Sequence, residues 1–240
     1  MVTSKDGTQI AVDAVGDGPS VVCVGGALND RGSTAPVAAG LTGFTAYSYD
    51  RRGRGDSGDT PPYAVEREIE DLAAVIESAG GSAMVYGMSS GAVLALRAAA
   101  AGVPITRLAL YEPPLRPADP GYASRLAQAT PSEALELFLG TAMGMPEEAL
   151  AGMRQSPAWP ALEALAHTLR YDNEIMTLTE LPSTPVPTTV LTGTASPPWM
   201  HEAATRLAAH LPNATTTQLP DQTHNVNPSV LAKALTQVLA

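Results

Sequence analysis

The 240-residue sequence predicts an α/β fold with a mostly parallel central sheet, helices on both faces and a small helical cap. Short apolar runs alternate with helical patterns in the first half of the chain and again in the last quarter, which is typical of a parallel sheet. Between these regions lies a segment broken by prolines, in which the strand rhythm stops. We therefore predict an α/β core over residues 1-112 and 185-240 and a cap over residues 113-184.

Seven runs have the length and residue types of strands, and four segments have helical spacing. The predicted strands are residues 10–15, 20–24, 45–49, 83–86, 108–111, 190–192 and 215–219, and the predicted helices are residues 65–78, 92–101, 199–211 and 229–239. In the first helix Ile69, Leu72 and Ile76 recur at helical spacing, and Gly80-Gly81 follow it as a C-terminal stop.

Composition excludes several classes of function. A net charge of −10 argues against nucleic acid or an anionic membrane as the main partner, because both require a basic face. The single Cys23 lies in an apolar run and is interpreted as a small core residue. The first residues lack a signal-peptide pattern and no apolar stretch approaches a membrane span, so we expect a cytoplasmic protein. The oligomeric state is left open.

The sequence Gly-Met-Ser-Ser-Gly at residues 87–91 predicts a nucleophile. It follows a predicted strand and precedes a predicted helix, and a sharp strand-to-helix turn needs small neighbours around its strained serine. Ser89 would then stand above the sheet. The backbone amide of Ser90 would lie at a helix N-terminus, where it can stabilise a developing oxyanion.

A serine hydroxyl needs a base within hydrogen-bond reach. His224 is the best placed of the four histidines, because it lies in a polar loop between the last predicted strand and the last predicted helix. By contrast, His167, His201 and His210 lie within helical patterns and are interpreted as packed or solvated residues.

With these two residues in this order, the chain resembles the α/β-hydrolase fold family over nearly its whole length. Residues 50–57, Asp-Arg-Arg-Gly-Arg-Gly-Asp-Ser, match the DxRGxGxS turn of that family at every position. An arginine-rich contact for phosphate or RNA is the alternative interpretation. We expect instead a solvated turn that marks the fold.

The resemblance implies a second oxyanion donor in the loop after an early strand, usually at a His-Gly pair. Here Gly25 stands in place of the histidine. Because the donor is a backbone amide, we assign the role to Ala27. A dinucleotide-binding loop at Gly25-Gly26 is a weaker interpretation, since the GxGxxG spacing is absent.

The acid departs from the commonest family pattern. Members usually carry an aspartate in a Gly-x-x-Asp turn after the strand that follows the cap, whereas Ser196 occupies that place here. Glu112 ends the strand after the nucleophile's strand, and the chain is similar in this to haloalkane dehalogenases and fungal zearalenone lactonases. We predict Glu112 as the triad acid, with Asp221 and cap acids such as Asp172 as alternatives.

The cap segment suggests the substrate. It carries four arginines, Arg116, Arg125, Arg154 and Arg170, against nine acidic residues, so anionic substrates gain nothing there. Its apolar residues include Phe138, Met143, Met145, Met153, Trp159 and Met176. A flexible, apolar cap of this kind suits an uncharged, mostly hydrophobic small molecule.

The sequence therefore predicts a serine esterase or lactonase with a Ser89-His224-Glu112 triad, an acyl-enzyme intermediate, no cofactor and no metal. Two alternatives stay open: a non-hydrolytic protein of this fold that binds a ligand, and a cofactor-free enzyme for another reaction, such as cyclisation or perhydrolysis. Haloalkane dehalogenase and epoxide hydrolase activities are disfavoured, because both need a carboxylate nucleophile where Ser89 stands.

Overall fold

The computed structural model describes residues 1–115, 119 and 121–240. Within these residues nine strands form two sheets. In chain order they are β1 Val2–Thr3, β2 Gln9–Ile10, β3 Val12–Gly16, β4 Ser20–Val24, β5 Thr45–Tyr49, β6 Ala83–Met88, β7 Ile105–Tyr111, β8 Thr188–Gly193 and β9 Ala214–Leu219.

Ten α-helices surround the sheets in the same part of the chain. They are α1 Arg31–Gly40, α2 Val65–Ser78, α3 Ser90–Ala100, α4 Tyr122–Gln128, α5 Pro131–Glu136, α6 Glu147–Arg154, α7 Trp159–Leu165, α8 Leu169–Met176, α9 Pro198–His210 and α10 Pro228–Leu239. A π-helical segment follows α5 at Leu137–Ala142, and a 3-10 turn follows α7 at Ala166–Thr168.

The main sheet has seven strands in the order β3-β5-β4-β6-β7-β8-β9. All neighbouring strands are parallel except β3, which pairs antiparallel with β5 at one edge. Strands β1 and β2 form a separate antiparallel pair. The predicted fold class is confirmed: the sheet is mostly parallel and is flanked by helices.

Side chains alternate along β4 between two apolar clusters, one on each face of the sheet. Val21 and Cys23 belong to the cluster under α1 and α10, and Val22 and Val24 belong to the cluster under α2, α3 and α9. All four side chains are fully buried, so β4 lies at the centre of the core, as its unbroken apolar run predicts. The interpretation of Cys23 as a core residue is confirmed.

Some local features differ from the expected elements. The run 10–15 is interrupted at Ala11, because the Ala11 amide donates to the Ser57 hydroxyl at 2.9 Å instead of pairing along a strand. Helix α1 has no counterpart in the predicted elements. It contains Pro36 and two glycines, which weaken a helical pattern, but the Asp30 side chain caps its N-terminus by accepting from the Ser33 amide.

The segment between β7 and β8 forms helices α4 to α8. Their buried side chains make a separate apolar cluster, here called the cap cluster, which consists of Leu126, Ala134, Leu135, Leu139, Leu150, Trp159, Ala166 and Leu169. Helix α8 also packs against α2 and α3. The division between core and cap at residues 112/113 and 184/185 stays a prediction, and Arg116, Pro117 and Pro120 lie outside the described residues.

The three arginines of the turn at residues 50–57 are buried, which contradicts the expected solvated turn, although Gly55 and Asp56 at its tip are exposed. Arg51, Arg52 and Arg54 are each at most 1% exposed. Arg52 forms a two-pronged hydrogen bond with Asp71, at 2.7 Å to each oxygen. Arg51 binds Glu68 in the same way, at 2.7 and 2.9 Å. Because α2 turns these carboxylates inward, the arginines are neutralised and bonded despite the loss of water.

Helix α3 begins in close contact with the end of β4. A β-carbon on Gly91 would lie 2.4 Å from the Gly25 carbonyl oxygen and 2.5 Å from that of Val24. Only glycine allows this approach, so residue 91 fixes how α3 sits on the sheet. In the described part of the chain, no helix combines the length and apolar character needed to cross a membrane.

We predict that Gly91→Ala lowers the free energy of unfolding by about 1–3 kcal/mol, the usual cost of forcing an extra carbon into a packed site. The control is Gly152→Ala in α6, where a β-carbon meets nothing within 4 Å. That change should stabilise the protein by about 0.5–1 kcal/mol. Urea unfolding followed by circular dichroism measures both, and equal effects of the two substitutions would contradict the packing argument.

Candidate active site

Ser89 lies in a strained turn between β6 and α3. Its φ and ψ are 55° and −125°, outside the regions that residues with a β-carbon prefer. The Ser89 amide donates to the Tyr111 carbonyl at 3.0 Å, which ties the turn to the end of β7. A β-carbon on Gly87 would lie 2.6 Å from the Gly91 carbonyl oxygen, so the turn depends on glycine at this position. The strand-turn-helix context predicted for the serine is present.

The loop after β4 passes directly beside this serine. A β-carbon on Gly26 would lie 3.1 Å from the Ser89 β-carbon and 3.2 Å from the Met88 carbonyl oxygen. The Gly26 amide is held by the Asn29 side chain at 3.0 Å, and Leu28 has a φ of 57°. This tight loop brings Ala27, the residue after Gly26, to the same end of the sheet as Ser89.

Two backbone amides are available near the serine. Ser90 is the first residue of α3, where an amide has no partner within the helix. Among the residues that the structure describes, no turn or loop hydrogen bond uses the amide of Ser90 or that of Ala27. Unpaired amides at a helix start and in a neighbouring loop can bind an oxyanion.

Glu112 follows β7 directly and is 1% exposed. Its φ of 46° again marks a strained turn. Three donors surround its carboxylate: Gly193 N at 2.8 Å, Ser196 Oγ at 2.5 Å and His224 Nδ1 at 2.9 Å. Burial by itself raises the pKa of Glu112, but the bonds to His224, Ser196 and Gly193 outweigh it and hold the pKa below its ordinary value. The group is therefore a carboxylate at neutral pH.

The contact with Glu112 orients the imidazole of His224. A carboxylate can only accept a hydrogen bond, so Nδ1 carries a proton, and in the neutral imidazole Nε2 then keeps the lone pair. The loop is anchored at the two residues before His224, because the Tyr111 hydroxyl donates to the Thr223 carbonyl at 2.6 Å and the Ala195 amide donates to the Gln222 carbonyl at 2.9 Å. With its side chain 20% exposed, His224 faces both the protein and solvent.

Among the residues that it describes, the structure thus shows the hydrogen bond between Glu112 and His224 but not one between His224 and Ser89. Within the described residues, no hydrogen bond of 3.5 Å or less joins the Ser89 hydroxyl to His224. Such bonds are often long in enzymes without substrate and shorten when it binds. The alternative acids lie elsewhere: Asp221 is exposed, and Asp172 is buried against Arg51 and Arg54.

Comparison with known proteins decides the family. A model of the alpha/beta hydrolase family matches residues 21–234. The chain belongs to the alpha/beta hydrolase family. Its structure is similar to that of an alpha/beta hydrolase from Sphaerobacter thermophilus, with 48% identity, a TM-score of 0.91 and 100% of both chains covered. A search of curated proteins gave no match.

Two more distant structures carry names of enzymes. A thermophilic esterase from Thermogutta terrifontis is 25% identical, with a TM-score of 0.69 over 99% of this chain and 95% of that one. The enol-lactonase from Burkholderia xenovorans is 24% identical, with a TM-score of 0.70 over 100% of this chain and 98% of that one, and this likeness shows the fold. Hydrolase activity in general is supported by the family match and by the hydrolase that is 48% identical.

Ser196 has a role in this hydrolase that the sequence did not reveal. In the sequence it occupies the place where family members usually carry the aspartate of the triad. Instead its hydroxyl donates to Glu112, and its carbonyl contacts His201 Nε2 at 3.1 Å. It therefore serves the acid rather than replacing it. The only sequence signal was its place in the turn after β8.

No metal site is evident among the groups that the structure describes. Across residues 1–115, 119 and 121–240, no cluster of three or more His, Cys, Asp or Glu side chains is arranged to hold a metal ion. That the reaction needs no metal or cofactor stays a prediction.

The Ser196–Glu112 bond predicts a pH-dependent effect on stability. The pKa of Glu112 is lowered from an ordinary value of 4.5, so its contribution to stability is complete above that pH and is lost as pH falls through the lower folded value. Ser196→Ala removes one donor and raises this pKa toward the ordinary value. We expect the variant to be less stable by about 1.5–3 kcal/mol at pH 7, with the difference shrinking below about pH 4.

Urea unfolding at several pH values between about 3 and 8 measures this difference. Ser20→Ala is the matched control, because the Ser20 hydroxyl donates to a neutral carbonyl, that of Ala79, at 2.7 Å. Its cost should not vary with pH. A loss in Ser196→Ala that is the same at pH 3 and pH 7 would contradict the proposed effect on the charge of Glu112.

Proposed function

We propose that the protein is a serine hydrolase that cleaves an uncharged, mostly hydrophobic carboxylic ester or lactone through an acyl-enzyme. The single observation that carries this proposal is the 2.9 Å contact between His224 Nδ1 and the buried Glu112 carboxylate, at the same end of the sheet as the strained Ser89. A histidine held in this way presents Nε2 as a base, which is what a serine nucleophile needs.

In the first half of the reaction, Ser89 Oγ attacks the carbonyl carbon while His224 Nε2 takes its proton. The carbonyl π electrons move onto oxygen, and the amides of Ala27 and Ser90 stabilise that oxyanion. Glu112 stabilises the positive imidazolium without taking its proton. The oxyanion then re-forms the carbonyl, the bond to the alcohol oxygen breaks, and His224 returns the proton to that oxygen.

In the second half, water attacks the acyl-enzyme. His224 removes a proton from water, the same amides stabilise the second oxyanion, and the bond to Ser89 Oγ breaks. Ser89 recovers its proton from His224, and the acid product leaves. A lactone gives one product in this scheme, because acid and alcohol stay joined, whereas an ester gives two.

The substrate class is inferred from the surroundings of the oxyanion loop. Ala27 and Leu28 pack against the cap cluster, so the proposed oxyanion loop adjoins apolar side chains. Met143 of the cap is 47% exposed and adds apolar surface. Acidic residues outnumber arginines in the segment 113-184, which disfavours anionic substrates. An uncharged, hydrophobic acyl group fits this environment best.

Two names among the structural neighbours agree with this class, since one neighbour is an esterase and another an enol-lactonase. The described residues show no hydrogen bond between Ser89 and His224, and this favours one competing proposal. In it, the same site binds a small hydrophobic ligand or catalyses a non-hydrolytic, cofactor-free reaction such as cyclisation. In both cases the partner is a small molecule, and a cytoplasmic location stays a prediction.

We predict that Ser89→Ala abolishes hydrolysis and also labelling by a fluorophosphonate, which bonds only to an activated serine. The substrates to screen are p-nitrophenyl esters of increasing chain length and a set of macrolactones. Ser82→Ala, at an exposed serine, is the control and should keep full activity. Unchanged labelling of Ser89→Ala would remove Ser89 as the nucleophile, and a wild-type protein that neither hydrolyses nor labels would favour the ligand-binding alternative.

A separate prediction concerns the acid. Glu112→Gln should lower kcat by about 10³–10⁴-fold, because a neutral amide neither stabilises the imidazolium nor selects the same tautomer. Asp221→Asn should change kcat by less than about twofold, since that side chain is exposed. Steady-state kinetics on the best ester measure both. The opposite ranking would move the acid to Asp221.

A further inference from the structure

The side chain of Ser90 is used in a way that the proposed reaction does not require. An oxyanion donor needs only the backbone amide, yet the Ser90 hydroxyl is fully buried and donates to Asp172 Oδ1 at 2.7 Å. Asp172 belongs to α8, the last helix between β7 and β8. A residue 82 positions away therefore contacts the first residue of α3.

Asp172 is bound as a charged group. Its carboxylate accepts from Arg51 Nη1 at 2.9 Å and from Arg54 Nη2 at 2.8 Å, and its side chain is 1% exposed. Burial alone raises the pKa of Asp172, but the charges of Arg54 and Arg51 and the bond from Ser90 outweigh it and lower the pKa. Glu68 balances the charge of Arg51, so two arginines face two carboxylates.

This arrangement restrains the Ser90 backbone. A hydroxyl bonded to a fixed carboxylate holds the Ser90 Cα, and with it the direction of the Ser90 N–H. Stabilisation of an oxyanion depends on donors that already point at the oxygen and need not reorganise. The bond to Asp172 supplies that restraint from a different helix, while the packing of Gly91 against β4 supplies it from the sheet.

We propose that Asp172 is a positioning residue of the oxyanion site: through the Ser90 hydroxyl it fixes the direction of the Ser90 amide, and it thereby couples that amide to helix α8. The proposal rests on the proposed function, because it assigns a role within the same reaction. Asp172 does not contact substrate in this scheme, since it is buried beneath the turn and bound to arginines.

The test compares two substitutions that each remove one hydroxyl from the same buried cluster. Ser90→Ala removes the bond to Asp172 and keeps the backbone amide. Thr168→Val is the matched control, because the Thr168 hydroxyl accepts from Arg54 Nε at 3.2 Å and does not contact Ser90. Both residues are fully buried, so both variants should lose similar stability.

We expect Ser90→Ala to lower kcat for ester hydrolysis by about tenfold with KM unchanged within about twofold. Complete loss of an oxyanion donor typically costs about 10²–10³-fold, and a misdirected donor should cost less. Thr168→Val should keep kcat within about twofold of the wild type. If the Ser90 hydroxyl had a purely structural role, both variants would lose stability and their kcat values would be the same.

A pair of inhibitors separates the oxyanion from the rest of binding. A trifluoromethyl ketone forms a tetrahedral adduct with an active-site serine and carries an oxyanion, whereas the methyl ketone of the same chain binds without forming such an adduct. In Ser90→Ala the affinity for the trifluoromethyl ketone should fall by the same factor as kcat/KM, and the affinity for the methyl ketone should not change.

The outcomes distinguish the two proposals. Suppose that the wild type is active. If Ser90→Ala then has the same kcat as Thr168→Val, or binds the trifluoromethyl ketone as tightly as the wild type does, the positioning role alone is overturned. A wild type that neither hydrolyses esters nor reacts with the fluorophosphonate overturns the proposed function, and the positioning role with it. Asp172→Asn is a second variant, for which we expect at least the same loss of kcat. If the Asp172→Asn protein does not fold, the result for Ser90→Ala decides.

Discussion

The candidate active site depends on one buried negative charge. The Glu112 carboxylate lies at the end of β7 and is satisfied by donors from β8, from the turn after β8 and from the loop after β9. An unpaired carboxylate in that place would be costly, so the three strand ends have to meet for the charge to be tolerated. The orientation of His224 therefore depends on the correct pairing of β7, β8 and β9.

The location of this charge also explains the residue at position 196. The commonest family pattern has its acid in the turn after β8, where this chain has a serine whose hydroxyl donates to Glu112. Two carboxylates so close together would repel each other, and one would take up a proton. With Glu112 present, a small donor at position 196 is the compatible choice, and serine supplies it.

Features that depend on nearby residues could be predicted from the sequence. The strands and long helices have local patterns, and helix α2 ends at the residue that its glycines indicated. The turns that carry Ser89 and His224 follow from the same local signals. Helix α1 was missed because a proline and two glycines obscure its periodicity, although the Asp30 cap stabilises it.

Features that depend on distant partners could not be predicted. The expectation that the arginines of residues 50–57 are solvated was wrong, because the carboxylates that neutralise them lie on α2 and α8, up to 121 positions away. The bond between Ser90 and Asp172 also joins residues that are far apart in sequence, by 82 positions. A single sequence contains no signal for such pairs, since pairing between charges leaves no periodic pattern.

The burial of Cys23 has a practical consequence. Its thiol lies on β4 in the middle of the sheet, and burial raises its pKa to about 12, so the native protein presents almost no thiolate to a reagent. A thiol-specific label can react only after β4 has separated from its neighbours. The rate at which this single cysteine is labelled therefore reports how often the sheet opens around β4.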